Sequence, residues 1–148
     1  MSPVFPLKPL LDLSNLRLDE AARRLGVLLS GEQEASQRHA LLIAYRAEYQ
    51  ERFVAAAKIG LSPKEWQNYR SFLLRLDDAI TQAEAMLTLS KQQTSAGQKE
   101  WMDKRGDVKA YDTLASRHQS RENYQAQRRE QKISDEHTAI RHRNKDDP

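Results

Sequence analysis

The sequence contains no cysteine, which excludes disulfides and thiolate metal sites and fits a reducing compartment. It has no apolar run near the roughly 20 residues that cross a bilayer. The opening Met1-Ser2-Pro3-Val4-Phe5-Pro6 lacks the charged start and apolar stretch of a signal peptide, so a cytoplasmic protein is expected. Glycine and proline are scarce at five each, and aromatic residues make up only 7%, which leaves little for tight turns or a thick core. Charge of one sign is also missing. Lys and Arg number 24 against 21 Asp and Glu, interleaved, so the net +3 reads as a solvated helix surface before it reads as a phosphate-binding face. No glycine-rich phosphate loop is present, since Gly97 and Gly106 stand alone in helical sequence. His39, His118, His137 and His142 lack the spacing of a helical zinc pair. These absences predict no enzyme, no cofactor and no metal.

What the chain does have is one well-marked reversal, Ala57-Lys58-Ile59-Gly60-Leu61-Ser62-Pro63-Lys64-Glu65-Trp66. Gly60 can take the left-handed conformation that closes a helix. Ser62 is a good N-cap, Pro63 suits the first helical position, and Glu65 completes a Ser-x-x-Glu capping box. The expected fold is all-α, two long helices forming an antiparallel coiled-coil hairpin. Helix one runs from about 10 to 58, the turn covers 59–62, and helix two runs from about 63 to 140, as a single coiled-coil domain. The prolines Pro3, Pro6 and Pro9 predict an extended start, with the helix beginning between Pro6 and Ser14.

A seam at 3.5-residue spacing can be written on both helices. On helix one it is Leu18, Ala21, Leu25, Leu28, Glu32, Ala35, His39, Leu42, Arg46, Tyr49, Phe53 and Ala56, of which nine of twelve are apolar. On helix two it is Trp66, Tyr69, Leu73, Leu76, Ile80, Ala83, Leu87, Ser90, Thr94, Gly97, Trp101, Lys104, Val108, Tyr111 and Ala115, with eleven of fifteen apolar. Continuing to Arg143 adds eight positions, of which only Ala139 is apolar. A hairpin closing at Gly60 sets Leu18 beside position 103, so helix two is expected to overhang without a partner after about Ser116. A helix polar on all sides needs charge pairs or another protein. Glu130, Lys132, Asp135, Glu136, Arg141 and Arg143 supply mixed charge at helical spacing. The last residues, from Asn144 to Pro148, are expected to fray.

Two surfaces stand out. Near the turn, Tyr45 flanks Leu42 and Tyr49, while Phe72 and Ala79 flank Leu76. A two-stranded coil needs one apolar stripe per helix, and here a second begins. It is either a wider local core, closed by dimerisation, or a docking patch. At the base, Arg23 and Arg24, with Arg128, Arg129 and Lys132 further along, form either a solvated charged face or an insertion helix for a ring or groove on another protein.

Read together, several stretches resemble the FliJ family, small coiled-coil components of the bacterial flagellar type III export apparatus. They are Asp19-Glu20-Ala21-Ala22-Arg23-Arg24-Leu25-Gly26, Leu41-Leu42-Ile43-Ala44-Tyr45-Arg46-Ala47-Glu48-Tyr49 and the run from Gly60 to Phe72. Leu76-Asp77-Asp78-Ala79-Ile80 follows the same pattern, and Arg128-Arg129-Glu130-Gln131-Lys132-Ile133-Ser134-Asp135-Glu136 fits the family's Arg-x-x-Gln-Lys-x-x-Asp-Glu signature. The stretch from Ser90 to Gly97, short of apolar residues, departs from the pattern and predicts looser packing in the middle of helix two. The resemblance implies a stalk and general export chaperone that inserts into the ring of a FliI-type export ATPase, contacts the cytoplasmic domain of an FlhA-type export gate, and binds export chaperones. It places the protein in the cytoplasm, peripheral to the cytoplasmic face of the inner membrane through protein contacts. Carried onto this chain, Leu42, Tyr45, Tyr49, Phe72, Leu76 and Ala79 become the gate contact. Arg23, Arg24, Gln131, Lys132, Asp135 and Glu136 become the ATPase contact.

The competing reading is a general basic coiled coil that binds nucleic acid or an acidic protein surface. The two separate in a DNA titration. Interleaved acidic residues predict weak binding at about 150 mM salt, whereas tight binding that falls steeply with salt would establish a phosphate-binding face.

Overall fold

The computed structural model describes residues 4–146, all-α over this range, with α1 spanning Lys8–Ile59 and α2 spanning Pro63–Asp146. Contacts divide the chain into two compact units, Glu20–Met102 and a second formed by the residues up to Asp19 together with those from Asp103. Each is described by itself.

The unit Glu20–Met102 is an antiparallel hairpin. Gly60 carries a φ of 114°, the region that a side chain disfavours, and its N–H donates to the Ala56 carbonyl at 3.1 Å to close α1. Ser62 opens α2. Its Oγ accepts from the Glu65 N–H at 3.2 Å, and its carbonyl accepts from the Trp66 N–H at 2.9 Å. The return bond of the capping box, from the Glu65 carboxylate, is not made among the described residues.

From this turn the two seams face each other. Every α1 seam position from Ala21 to Ala56 is buried or half-buried, as is every α2 position from Tyr69 to Trp101. Trp66, in the first turn of α2, is the exposed exception. Cross-helix partners fix the direction: Phe53 meets Trp66, Arg46 meets Asp77, Leu28 meets Thr94 and Arg24 meets Glu100. As one number falls the other rises, so partners stay about equally far from the turn.

Polar seam residues are accommodated individually. Arg46, a cation where the stripe calls for an apolar group, forms an ion pair with Asp77, and its second contact to that carboxylate is 3.5 Å. Both ends reach solvent, so the pair costs little to hold and contributes modestly. Thr94 is buried, and its hydroxyl donates to the Leu28 carbonyl at 3.3 Å. This bond marks a correction. The stretch from Ser90 to Gly97 is closely packed, not loose: Gly97 is buried, and a Cβ added there would fall 2.6 Å from Leu28 Cδ1. Small residues let the α2 backbone approach, and Leu25 and Leu28 of α1 fill the space.

In the second unit, Leu11, Ser14 and Leu18 of α1 are buried or half-buried, as are Lys104, Val108, Tyr111 and Ala115 of α2. The Ser14 hydroxyl is satisfied by the Leu11 carbonyl at 3.0 Å. Pro9 lies in the first turn of α1, where its missing N–H is not needed. Met1, Ser2 and Pro3, expected to be extended, lie outside the described residues. Pro6 and Leu7 form a turn rather than an extended strand, because the Lys8 N–H bonds to the Phe5 carbonyl at 3.1 Å. That turn lays the Phe5 ring against His118, centroids 5.6 Å apart. Burial therefore continues past Ser116 to His118 and Glu122. From residue 123 to residue 145 every side chain is exposed. This stretch is helical to Asp146, which takes in Asn144 and Lys145; Asp147 and Pro148 lie outside the described residues.

The Gly97 contact gives a direct test. Gly97→Leu should destabilise the protein by about 1–3 kcal/mol through overpacking, read as a lower urea midpoint of helical circular dichroism. An unchanged midpoint would mean that the helices do not approach at Leu28.

Candidate partner-binding surfaces

The aromatic residues near the turn form one cross-helix ladder. Phe53 stacks with Trp66 at 5.0 Å and with Tyr69 at 5.5 Å. Tyr49 meets Tyr69 at 5.4 Å and Phe72 at 4.4 Å, and Tyr45 meets Phe72 edge-on at 6.2 Å. Tilted and edge-on pairs at such distances are favourable beyond their buried area. The sequence forces the ladder, because aromatic seam residues on α1 and α2 fall at matching distances from Gly60.

The six residues of the first candidate surface are thus brought together, but in three environments. Leu76 is 7% exposed and belongs to the core. Leu42, Tyr49, Phe72 and Ala79 are half-buried along its edge, and Tyr45, at 41%, is the outward face. The second apolar stripe is therefore partly a wider core and partly a surface. It also runs further than the sequence reading took it. Leu42 and Ala79 line an open groove together with Gly31, Ala35, Ala83 and exposed Met86. Met86 continues the heptad row of Phe72 and Ala79, a signal that was available in the spacing. The groove carries Arg38 and Glu34, so both charge signs border it.

The second candidate set falls in both units. In Glu20–Met102, Arg23 and Arg24 are exposed, and Arg24 is already paired with Glu100. In the other unit, Gln131, Lys132 and Asp135 line one face of α2 together with Arg128 and Arg129, and Glu136 is exposed nearby. Arg128 sits over the Tyr124 ring at 5.9 Å. Ile133 and Ile140, exposed beside His137, were missed by sequence reasoning. Their seven-residue spacing was visible, but they fall off the seam. The mixed charges expected to lace this stretch do not do so: among the described residues no ion pair joins positions 123 to 145. Its side-chain bonds include Gln119 to Asn123 at 3.1 Å and Thr138 to the Ser134 carbonyl at 2.9 Å.

No group of three or more metal-ligating side chains occurs among the described residues, and no helix there is long and apolar enough to cross a membrane. Paired helices bearing open, mixed apolar and charged surfaces define a coiled-coil interaction protein. The chain matches the family described as Flagellar FliJ protein over residues 3–147. It is 32% identical over 130 residues to a Flagellar FliJ protein of Salmonella typhi and 31% identical over 130 residues to one of Escherichia coli K12, covering 88% of each chain in both cases. The chain belongs to the FliJ family. It is accordingly a component of the flagellar export apparatus and not an enzyme.

The three environments predict different responses to truncation. Leu76→Ala should cost about 2–5 kcal/mol of stability, as a core deletion does, while Tyr45→Ala should shift it by less than about 1 kcal/mol. Chemical denaturation measures both, and equal losses would make Tyr45 part of the core.

Proposed function

We propose that this protein is a stalk and adaptor of the export apparatus, and a general export chaperone. It inserts into the ring of a FliI-type ATPase and links that ring to the FlhA-type export gate. The observation that carries this reading is the helix from residue 123 to residue 145, exposed on every side and without ion pairs. Among the described residues nothing covers this mainly polar helix, and such a helix is stabilised by binding a partner protein. A ring lumen would supply one, and its modest contacts would allow turning.

Gln131, Lys132, Asp135 and Glu136 then touch the ATPase from one unit, and Arg23 and Arg24 from the other. The gate contact is the outer edge of the aromatic ladder: Tyr45 first, with Leu42, Tyr49, Phe72 and Ala79 beside it, and Leu76 holding them from below. Burying large side chains there contributes on the order of 1.5–3 kcal/mol each. Export chaperones are further partners, and the protein sits in the cytoplasm, peripheral to the inner membrane through these protein contacts.

Two variants separate the surfaces. A chain ending at Gln125 keeps the Phe5–His118 contact and should lose binding to the ATPase and stimulation of its turnover, while still capturing the gate cytoplasmic domain. Tyr45→Ala should do the reverse, with unchanged helicity. If the shortened chain still stimulates the ATPase, the insertion helix is misassigned. If Tyr45→Ala still captures the gate domain, the patch is misassigned.

A further inference from the structure

The turn of the hairpin carries a third surface that neither contact set uses. Ile59, the last residue of α1, is 91% exposed, and Trp66 and Leu74 of α2 are 48% and 57% exposed. Trp66 and Leu74 lie on one side of α2 with Arg70 between them, next to Pro63. The charge here is not interleaved. From position 58 to position 75 the charged residues are Lys58, Lys64, Glu65, Arg70 and Arg75, four cations to one anion. All four cations are exposed, and none takes part in an ion pair among the described residues. These 18 positions therefore hold a surplus equal to the net +3 of the whole chain.

We propose that this turn docks directly on an anionic lipid bilayer, with Ile59, Trp66 and Leu74 entering the headgroup region, Arg70 on the same side of α2 meeting lipid phosphates, and Lys58 and Lys64 joining it at the turn itself. Charge complementarity selects the occupant. A partner groove built for Ile59 and Trp66 alone would leave the surrounding cations unused, whereas an anionic membrane surface satisfies both kinds of group at once. Trp is suited to that boundary, because its ring is apolar and its N–H is polar. Ile59 projects at the turn and Leu74 from the exposed side of α2, while Trp66 keeps one face on Phe53 and turns the rest outward, so contact with a soft surface does not require the helices to part. The proposal is independent of the gate and ATPase contacts, since it uses none of their residues.

The probe is vesicles of phosphatidylcholine with anionic phosphatidylglycerol, some carrying brominated acyl chains. Trp66 and Trp101 are the two tryptophans, so a Trp101→Phe background makes Trp66 the reporter. The full chain should float with anionic vesicles and not with neutral ones, and brominated lipid should quench Trp66. Ile59→Asp should abolish quenching. Lys58→Gln with Lys64→Gln should weaken partitioning roughly 30-fold, at about a tenfold loss per 1.4 kcal/mol and about 1 kcal/mol for each cation near the surface. Helicity should be unchanged in each variant. The proposal is overturned if the full chain does not float with anionic vesicles. It is equally overturned if flotation survives both turn variants, or if brominated lipid leaves Trp66 unquenched. The last two results would assign binding to another basic segment. A DNA duplex that protects Trp66 where vesicles do not would overturn it in favour of nucleic acid.

Discussion

Two helices pressed together can bury only one stripe on each. Among the described residues only Ala21, Leu76 and Ala83 form a buried apolar core; the other large apolar seam side chains keep some contact with water. The hairpin therefore depends on continuity along the seam rather than on depth at any point. This explains why small residues matter as much as large ones. At Ser90, Thr94 and Gly97 the seam loses apolar area, and the backbones close the gap so that Leu25 and Leu28 still make contact. Close approach replaces bulk, because dispersion falls away within an ångström of lost contact.

The same thinness decides what kind of site the protein can offer. With so thin a core among the described residues, the surfaces that the hairpin offers are the flanks of its seam. A flank residue adjoins the core, so it is held still, yet one side of it faces solvent. Tyr45 and Phe72 show this arrangement: their rings meet edge-on at 6.2 Å. Preorganised aromatic side chains lose little freedom on binding, which favours them as anchors.

Much of this was legible in the sequence. The seam needed only the 3.5-residue spacing, and the turn needed only Gly60, Ser62 and Pro63. What escaped was information that spacing does not carry. Leu76 and Tyr45 both read as members of one patch, yet their neighbours on the other helix bury the first and leave the second out. Trp66 reads as seam, but lies so close to the turn that α1 covers only part of it. The stretch from Ser90 to Gly97 reads as weak because apolar counting treats a missing side chain as a missing contact, when glycine admits a neighbour's. The Phe5–His118 contact was hidden because prolines signal the absence of a helix, not where the chain goes instead.

Positions on the seam are constrained by the opposite helix, whereas positions on the flanks, the turn and the unpaired stretch of α2 are nearly free of that constraint. A change there leaves the fold almost untouched, since exposed substitutions usually alter stability by only a few tenths of a kcal/mol. Partner recognition can therefore be placed at several separate surfaces without weakening the scaffold. The charge distribution fits this division. The ion pairs that join the two helices, Arg24 with Glu100 and Arg46 with Asp77, lie along the seam, while the cations at the turn and the mixed charges of residues 123–145 form no ion pair among the described residues. Recognition in this architecture is set by what the seam leaves unspecified.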